Sequence, residues 1–283
     1  MRKPRRILLL ALLALAACSR LSLAWRFGPW MVERDAVQRL QWPESERPRL
    51  HQGVQAWAQF MGRQVAPALA SAARAVATAV EAGQNHAAAA RLVDAAQRAW
   101  VATAGAAEAP LAQLMASTQP VERAKALAVF FQAKDAKDRA RWADPDHSAV
   151  AQAKQLMGTF KDYAGEPSDA QGRLILDWAR HAAFPGLAYL AWRQDREQAL
   201  GRALNQGLDP AQIQALLHDW WIGHASRPEA LRQALDAYRA RLLSGLETLL
   251  ASLDPDQRAC CAQRLRVVAQ DLDAIARKAW TPA

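Results

Sequence analysis

Apolar positions along the chain recur at helical spacing, and the strict alternation typical of strands is scarce. Within 226–251, six apolar residues beginning with Leu231 follow one another at steps of three or four, with arginines between them. Within 254–280, a second series beginning with Cys261 repeats the pattern. Residues three and four apart share one face of a helix, so each segment is predicted to be a two-faced helix.

Helix starts are marked by unusually complete sets of capping residues. Asp209-Pro210-Ala211-Gln212 and Asp254-Pro255-Asp256-Gln257 each place an aspartate at the N-cap, a proline next and a glutamine at the third helical position. The aspartate accepts a hydrogen bond from an orphan amide, proline has no N–H to lose there, and glutamine reaches back to the cap. Ser168 and Ser226 begin variants of this pattern, and Asp144-Pro145 opens a further helix.

Together these signals predict an all-α chain, folded as a multi-helix bundle or an irregular helical array. Pro67 is expected to kink the second helix, because proline lacks an N–H and clashes with the preceding turn. In the Ala-rich stretch 65–107, which has few large side chains, we expect close-packed thin helices rather than a loosely held hairpin. The predicted helices are 28–41, 44–82, 86–104, 110–117, 120–142, 146–163, 168–181, 186–206, 210–222, 227–251 and 255–280.

Composition supports the helical prediction. The chain of 283 residues contains 65 alanines but only 13 glycines and 14 prolines. Alanine is the best helix former and is depleted in strands. Hydrophobic residues make up 52% of the chain, which is enough for a large core and argues against wholesale disorder.

The amino terminus has the pattern of a lipoprotein leader. Four basic residues between Arg2 and Arg6 precede the uncharged apolar run 7–17. Eleven residues form about 16 Å of helix, too short for a bilayer core of roughly 30 Å but suited to a secretory signal peptide. The run ends in Leu15-Ala16-Ala17-Cys18, which resembles the lipobox of bacterial lipoproteins. An ordinary signal peptide cut after Ala17 and an uncut anchor are the alternatives.

The lipobox implies that the leader is cut between Ala17 and Cys18, and that the Cys18 thiol carries a diacylglycerol while its new amino group is acylated by a fatty acid such as palmitate. The chain then divides into a signal peptide over 1–17, a lipidated tether over 18–25 and a single all-α domain over 26–283. Loss of the leader lowers the formal charge from +9 to +5. Ser19 follows the cysteine, and in the lipoprotein sorting pattern a serine favours the outer membrane over the inner one.

The sequence contains no catalytic signature. It has no Gly-x-Ser-x-Gly, no Gly-rich phosphate loop, no Cys-x-x-Cys and no His-Glu-x-x-His. His218 and His224 lie near Asp219, but a step of six is not a same-face helical step, so hydrogen-bonded histidines are favoured over a metal site. We therefore predict no catalytic residues, no metal and no cofactor. An enzyme would have to assemble its site from separate helices.

Adjacent cysteines, Cys260 and Cys261, lie inside a predicted helix. Neighbours in a helix point about 100° apart and cannot meet disulfide geometry without breaking it. Cys261 falls on the apolar stripe, so we predict a structural role for both, with a redox or intermolecular role as the alternative.

The acidic pairs and the tryptophans are candidates for functional sites, and each group also has a structural explanation. The acid pairs Glu44 and Glu46, and Asp135 and Asp138, stand among basic residues and are predicted to lie on solvated faces. The chain has 11 tryptophans. We expect most to pack in the core, and a membrane-proximal or binding surface is the alternative.

A set of segments spread over most of the chain has a recognisable pattern: Cys18-Ser19-Arg20-Leu21, Ala24-Trp25, Trp30, Leu40, Trp42-Pro43-Glu44-Ser45-Glu46, Trp57, Pro67, Gly165–Gln171, Trp192-Arg193-Gln194 and Ser252–Gln257. Together these segments resemble a family of Gram-negative helical lipoproteins that carry a domain of unknown function. The family commonly has Trp-His-Arg on its long helix, where this chain reads Trp57-Ala58-Gln59. The resemblance implies an all-α lipoprotein and no particular activity.

These features predict a lipid-anchored protein at the periplasmic face of the outer membrane, with a structural or protein-interaction role. Its expected partners are the membrane, through Cys18, and an envelope protein, but not nucleic acid. A chaperone-like client-binding protein is the alternative. Leu208–Gln212 and Leu253–Gln257 resemble the Leu-Thr-x-x-Gln motif of Spy-type helical periplasmic chaperones, although a good helix start is the favoured explanation of both segments.

Overall fold

A computed structural model of the protein describes residues 20–39, 42–117 and 120–278, which are helical and contain no strand. The all-α prediction is confirmed. The helices are α1 (Arg20–Arg39), α2 (Arg47–Phe60), α3 (Ala66–Glu81), α4 (Asn85–Ser117), α5 (Pro120–Trp142), α6 (Pro145–Ala164), α7 (Asp169–His181), α8 (Gly186–Asn205), α9 (Pro210–His218), α10 (Glu229–Ala251) and α11 (Pro255–Arg277). Three short segments add a 3-10 turn over Glu44–Glu46 and π turns over Met61–Val65 and Asp219–Gly223.

Helix α1 begins earlier than predicted. Arg20 is its first residue, so most of the segment expected to be a tether is helical. Trp25 packs over Gly62, where an added Cβ would lie 3.1 Å from the indole ring. This contact with the rest of the fold explains why the helix begins before residue 28, its predicted first residue.

Helix α4 runs unbroken through Pro110, where two separate helices were predicted. Proline removes one backbone hydrogen bond from a helix interior. Ala104, Glu108 and Ala112 are buried around it, and α4 contacts α3, α9 and α10 along its length. Packing on several sides therefore keeps the two halves in one helix.

The irregularity expected at Pro67 takes the form of a π turn. The turn covers Met61–Val65, and α3 starts directly after it with Pro67 in its first turn. The ring of a proline clashes with the carbonyl group four residues earlier, which here belongs to Arg63 inside the turn. The wider turn relieves that clash without ending the helix.

The core of the Ala-rich region is built from small side chains. Ala70, Ala77 and Ala269 are fully buried, and α3 packs closely against α11. Small side chains let two helix backbones approach closely. The packing of α3 on α11 through these alanines confirms the prediction of close-packed thin helices for α3.

Two capping boxes, predicted separately, bond to each other. Ser168 with Gln171 caps α7, and Asp254 with Gln257 caps α11. Gln171 Nε2 donates to Gln257 Oε1 at 2.7 Å, and Gln257 Nε2 donates back to Gln171 Oε1 at 3.1 Å. Both glutamines are buried, so this pair locks the start of α7 to the start of α11.

Replacing Gln171 with alanine is expected to lower the free energy of unfolding by about 2 kcal/mol, because buried donors and acceptors of Gln257 lose their partner. Gln212→Ala, in the exposed capping box of Asp209, is the matched control and should cost roughly 1 kcal/mol or less. Urea unfolding of both variants measures the difference. Equal losses would contradict a special contribution from the glutamine pair.

Candidate functional site: a cleft between α5 and α8

Helices α5 and α8 pack against each other in antiparallel directions and leave a cleft between them. Asp135, late in α5, contacts Arg193 near the start of α8, whereas the earlier Leu127 clusters with Leu200 and Leu204. The cleft has a volume of about 640 Å³. Its lining consists of Ala124, Leu127, Ala128, Phe131, Gln132, Asp135, Ala136, Arg139, Gln194, Glu197, Gln198, Gly201, Arg202 and Asn205.

The floor of the cleft is apolar and well supported. Leu127 is buried and belongs to the cluster that α5 and α8 share with α9. Phe131 packs edge-to-face on Trp220, with ring centroids 5.9 Å apart. The floor is therefore held by the core beneath it.

A cluster of charges around the buried Arg193 lies at one end of the cleft. Its Nη2 donates to Asp135 Oδ1 at 2.5 Å, and its Nη1 donates to Asp138 Oδ2 at 2.7 Å. Gln194 Nε2 donates to the other oxygen of Asp135 at 2.8 Å. Each oxygen of Asp135 thus has a donor, which keeps α5 and α8 in register.

Glu197 is the unusual member of this cluster. Its Oε1 lies 3.2 Å from Arg193 Nε but accepts no well-formed hydrogen bond, although the side chain is buried. Burial and the nearby charge of Asp135 raise the pKa of Glu197 from 4.5 to about 7, against the pull of Arg193. The wall of the cleft therefore carries a carboxyl group that gains or loses a proton near neutrality.

Amide side chains line the rest of the walls. Gln132, Gln198 and Asn205 face the cleft, and each amide both donates and accepts hydrogen bonds. Gly201 adds open space, since a Cβ placed there would meet no atom within 4 Å. An apolar floor between amide-bearing walls matches the two needs of a polypeptide segment, whose backbone must hydrogen-bond while its apolar side chains are buried.

Two of the acidic residues predicted to lie on solvated faces are buried instead. Asp135 and Glu46 are each only 7% exposed, whereas Glu44 is exposed as predicted. Their partners, Arg193 and Arg123, come from distant parts of the sequence. Local charge pattern could not show this, because the burial depends on which helices pack together.

The two histidines near the π turn have separate partners. His218 Nδ1 lies 3.2 Å from Glu108 Oε2 of α4. His224 adopts the left-handed conformation, with φ 56°, and its ring packs against Trp192 at 5.9 Å. Burial, followed by the charge of Arg227, lowers the pKa of His224. Sequence spacing did not reveal Glu108, which lies 110 residues from His218.

The turn after these histidines is held by Asp219. Its Oδ1 accepts a hydrogen bond from the Ser226 amide at 2.9 Å, and its other oxygen accepts from the Ser226 hydroxyl. Arg196 Nη1 lies 3.3 Å from the same carboxylate. Across the described ranges, no group of three or more His, Cys, Asp or Glu side chains is arranged to hold a metal ion.

The adjacent cysteines are both free thiols in different surroundings. Cys260 is exposed, whereas Cys261 is buried in the cluster between α3, α6, α7 and α11. Burial, with a smaller contribution from Cys260, raises the pKa of Cys261 to about 11. The structural role predicted for Cys261 matches its place in the core.

Alkylation should separate the two thiols. Because a thiolate is the reacting species, Cys260 is expected to react with iodoacetamide at pH 8 at least roughly tenfold faster than Cys261 in the folded protein. Peptide mass spectrometry over a time course measures both rates. In denaturant the two rates should converge, and equal rates in the folded protein would contradict the described burial.

The residues of the lipobox, including Ala17 and Cys18, lie outside the part of the chain that the structure describes. Within the described ranges, none of the helices combines the length and apolarity needed to span a bilayer. Searches against protein-family models, curated proteins and solved structures find no match to the chain. The resemblance to helical lipoproteins therefore stays a prediction.

Proposed function

We propose that the protein is a lipid-anchored protein at the periplasmic face of the outer membrane, and that it holds a polypeptide segment of an envelope partner between α5 and α8. The leader ending in Leu15-Ala16-Ala17-Cys18 supports the anchor. The observation that carries the interaction role is the cleft itself, with its apolar floor and its amide-bearing walls.

A binding role agrees with the pairing of the charged groups at the cleft, which bond to one another. Arg193 is already paired with Asp135 and Asp138, so these side chains stabilise the walls. Arg139 adds positive charge beside this acidic end, and Arg202 adds it toward the opposite end of the cleft. A segment of mixed polar and apolar character fits that lining, and we propose that the protein binds it without transforming it.

The structure gives less support to the client-binding alternative, which was suggested by two Leu-Asp-Pro-x-Gln segments and by the tryptophans. Asp209 and Asp254 act as helix caps, which accounts for the Leu-Asp-Pro-x-Gln segments. No tryptophan lines the cleft. Among the six tryptophans that would build an apolar client surface, Trp192 is buried, Trp30 is exposed, and the half-buried ones are Trp57, Trp178, Trp220 and Trp221.

The test is site-specific photocrosslinking in living cells with the full chain. A photoreactive residue at Gln198, on the exposed rim of the cleft, is expected to give a discrete covalent adduct. The same residue at Gln155, exposed on α6, is the control and should give none. A second substitution, Gly201→Leu, fills the cleft and should abolish the adduct. Gly158→Leu, at an exposed glycine of α6 that also has free space, should leave it intact.

Two outcomes would overturn the proposal: identical adducts from both positions, or an adduct from Gln198 that survives Gly201→Leu. A parallel aggregation assay tests the alternative that the protein is a chaperone-like client-binding protein. Suppression of aggregation of a denatured periplasmic protein, unaffected by Gly201→Leu, would favour a client-binding surface away from the cleft.

A further inference from the structure

Helix α1 has a largely apolar face that is exposed to solvent. The face is formed by Phe27, Trp30, Met31 and Arg34, whose steps of three, one and three place them on one side of the helix. Phe27, Trp30 and Met31 are 49%, 56% and 49% exposed. This set is called the outer face of α1.

The opposite side of α1 is the one that joins the fold. Pro29 is buried, Trp25 packs over Gly62, and Ala36 packs beside the cluster containing Trp42. Glu33 accepts a hydrogen bond from His51 Nδ1 at 2.8 Å. These contacts fix the rotation of α1 about its axis, so its outer face points away from the helices that it contacts.

We propose that the outer face of α1 lies on the surface of a phospholipid bilayer and seats the protein against the membrane that holds its lipid. This inference rests on the proposed anchor at Cys18, which stands two residues before α1 begins. Two residues span at most about 7 Å. Phe27 and Met31 lie only about 10 to 17 Å along the helix from Arg20. An acylated Cys18 therefore brings the outer face to the lipid surface.

The composition of the face suits the boundary between lipid headgroups and acyl chains. Tryptophan and phenylalanine are favoured at that boundary, and helices lie in its plane with their apolar side buried by about 5 to 10 Å. The Arg34 guanidinium stands over the Trp30 ring at 5.3 Å. That position keeps the cation beside the apolar patch, where it meets lipid phosphates while its stem covers apolar surface.

A matched pair of tryptophans allows a direct test. Trp30 is 56% exposed, and Trp100 on α4 is 55% exposed but bonded to the carbonyl oxygen of Trp221 at 2.9 Å. The full-length protein, purified from membranes, is reconstituted into phosphatidylcholine and phosphatidylglycerol vesicles with or without bromine on carbons six and seven of the acyl chains. Bromine quenches tryptophan fluorescence only at short range. Trp30→Phe is expected to cut the bromine-dependent quenching by roughly twofold or more, whereas Trp100→Phe should leave it unchanged.

The outcomes separate this inference from the anchor. An acylated protein whose quenching is the same in both variants overturns docking of the outer face and leaves the anchor standing. An unacylated chain that still binds vesicles with Trp30-dependent quenching supports docking and overturns the anchor. An unacylated chain that does not bind vesicles overturns both.

Discussion

Replacing Arg123 with alanine is expected to lower the free energy of unfolding by about 3 to 5 kcal/mol, the largest single effect we predict. Arg123 is buried, and its Nη2 donates to Glu46 Oε2 at 2.6 Å. Its Nη1 donates to the carbonyl oxygen of Met115 at 3.0 Å, and its guanidinium stacks on Trp42 at 4.2 Å. Removing it takes the Arg123 countercharge away from the buried Glu46 carboxylate.

The matched control for this substitution is Arg98→Ala. Arg98 pairs with Asp94 one turn earlier on α4, and both side chains are exposed. Exposed pairs of this kind stabilise by about 0.5 kcal/mol or less. Chemical unfolding measured at one pH compares the two variants. An Arg123 variant that unfolds at the denaturant concentration of the Arg98 variant would contradict the stabilising role of the buried pair.

The double variant Arg123→Ala with Glu46→Gln sharpens this prediction. If the cost arises because the Glu46 charge stays buried after Arg123 is removed, neutralising Glu46 should recover part of the loss. A double variant that is no more stable than Arg123→Ala alone would show that packing on Trp42 dominates instead.

Replacing Glu197 with glutamine is expected to stabilise the protein at high pH by about 1 to 3 kcal/mol, with little effect at pH 5. The pKa of Glu197 is raised from 4.5 to about 7 by burial and by Asp135. The folded protein therefore holds its proton more tightly than the unfolded chain does. Wild-type stability should fall as the pH rises from about 4.5 to about 7, and the penalty is complete above that range.

The glutamine variant removes this titration while its amide keeps a similar shape in the cleft wall. Unfolding at pH 5 and pH 8 measures the effect, and Glu122→Gln on the exposed side of α5 is the control. A variant whose advantage over wild type does not grow between pH 5 and pH 8 would refute the raised pKa.

Local features of the fold were predictable because they depend on neighbours in sequence. Asp209 and Asp254 begin helices as their capping boxes predicted, since each cap uses residues within three positions. Helix type followed from periodicity and from alanine content. Helix ends were harder to predict where packing prevails, as at Arg20, where α1 begins, and at Pro110, which α4 passes through.

The candidate site was not predictable, because its contacts join distant segments. Arg193 reaches Asp135 across 58 residues, and Gln194 reaches the same carboxylate across 59. The sequence around Asp135 is rich in charged residues, which is typical of a helix face exposed to solvent. Only the packing of α8 against α5 turns it into the buried wall of a cleft, and only that burial gives Glu197 its raised pKa.

Mass spectrometry of the mature amino terminus, on protein purified from membranes, tests whether the chain is anchored by a lipid at Cys18. We expect the first residue to be Cys18, with a diacylglycerol on its sulfur and an acyl chain on its amino group. An intact leader, or an unmodified amino terminus at any other residue, would contradict it.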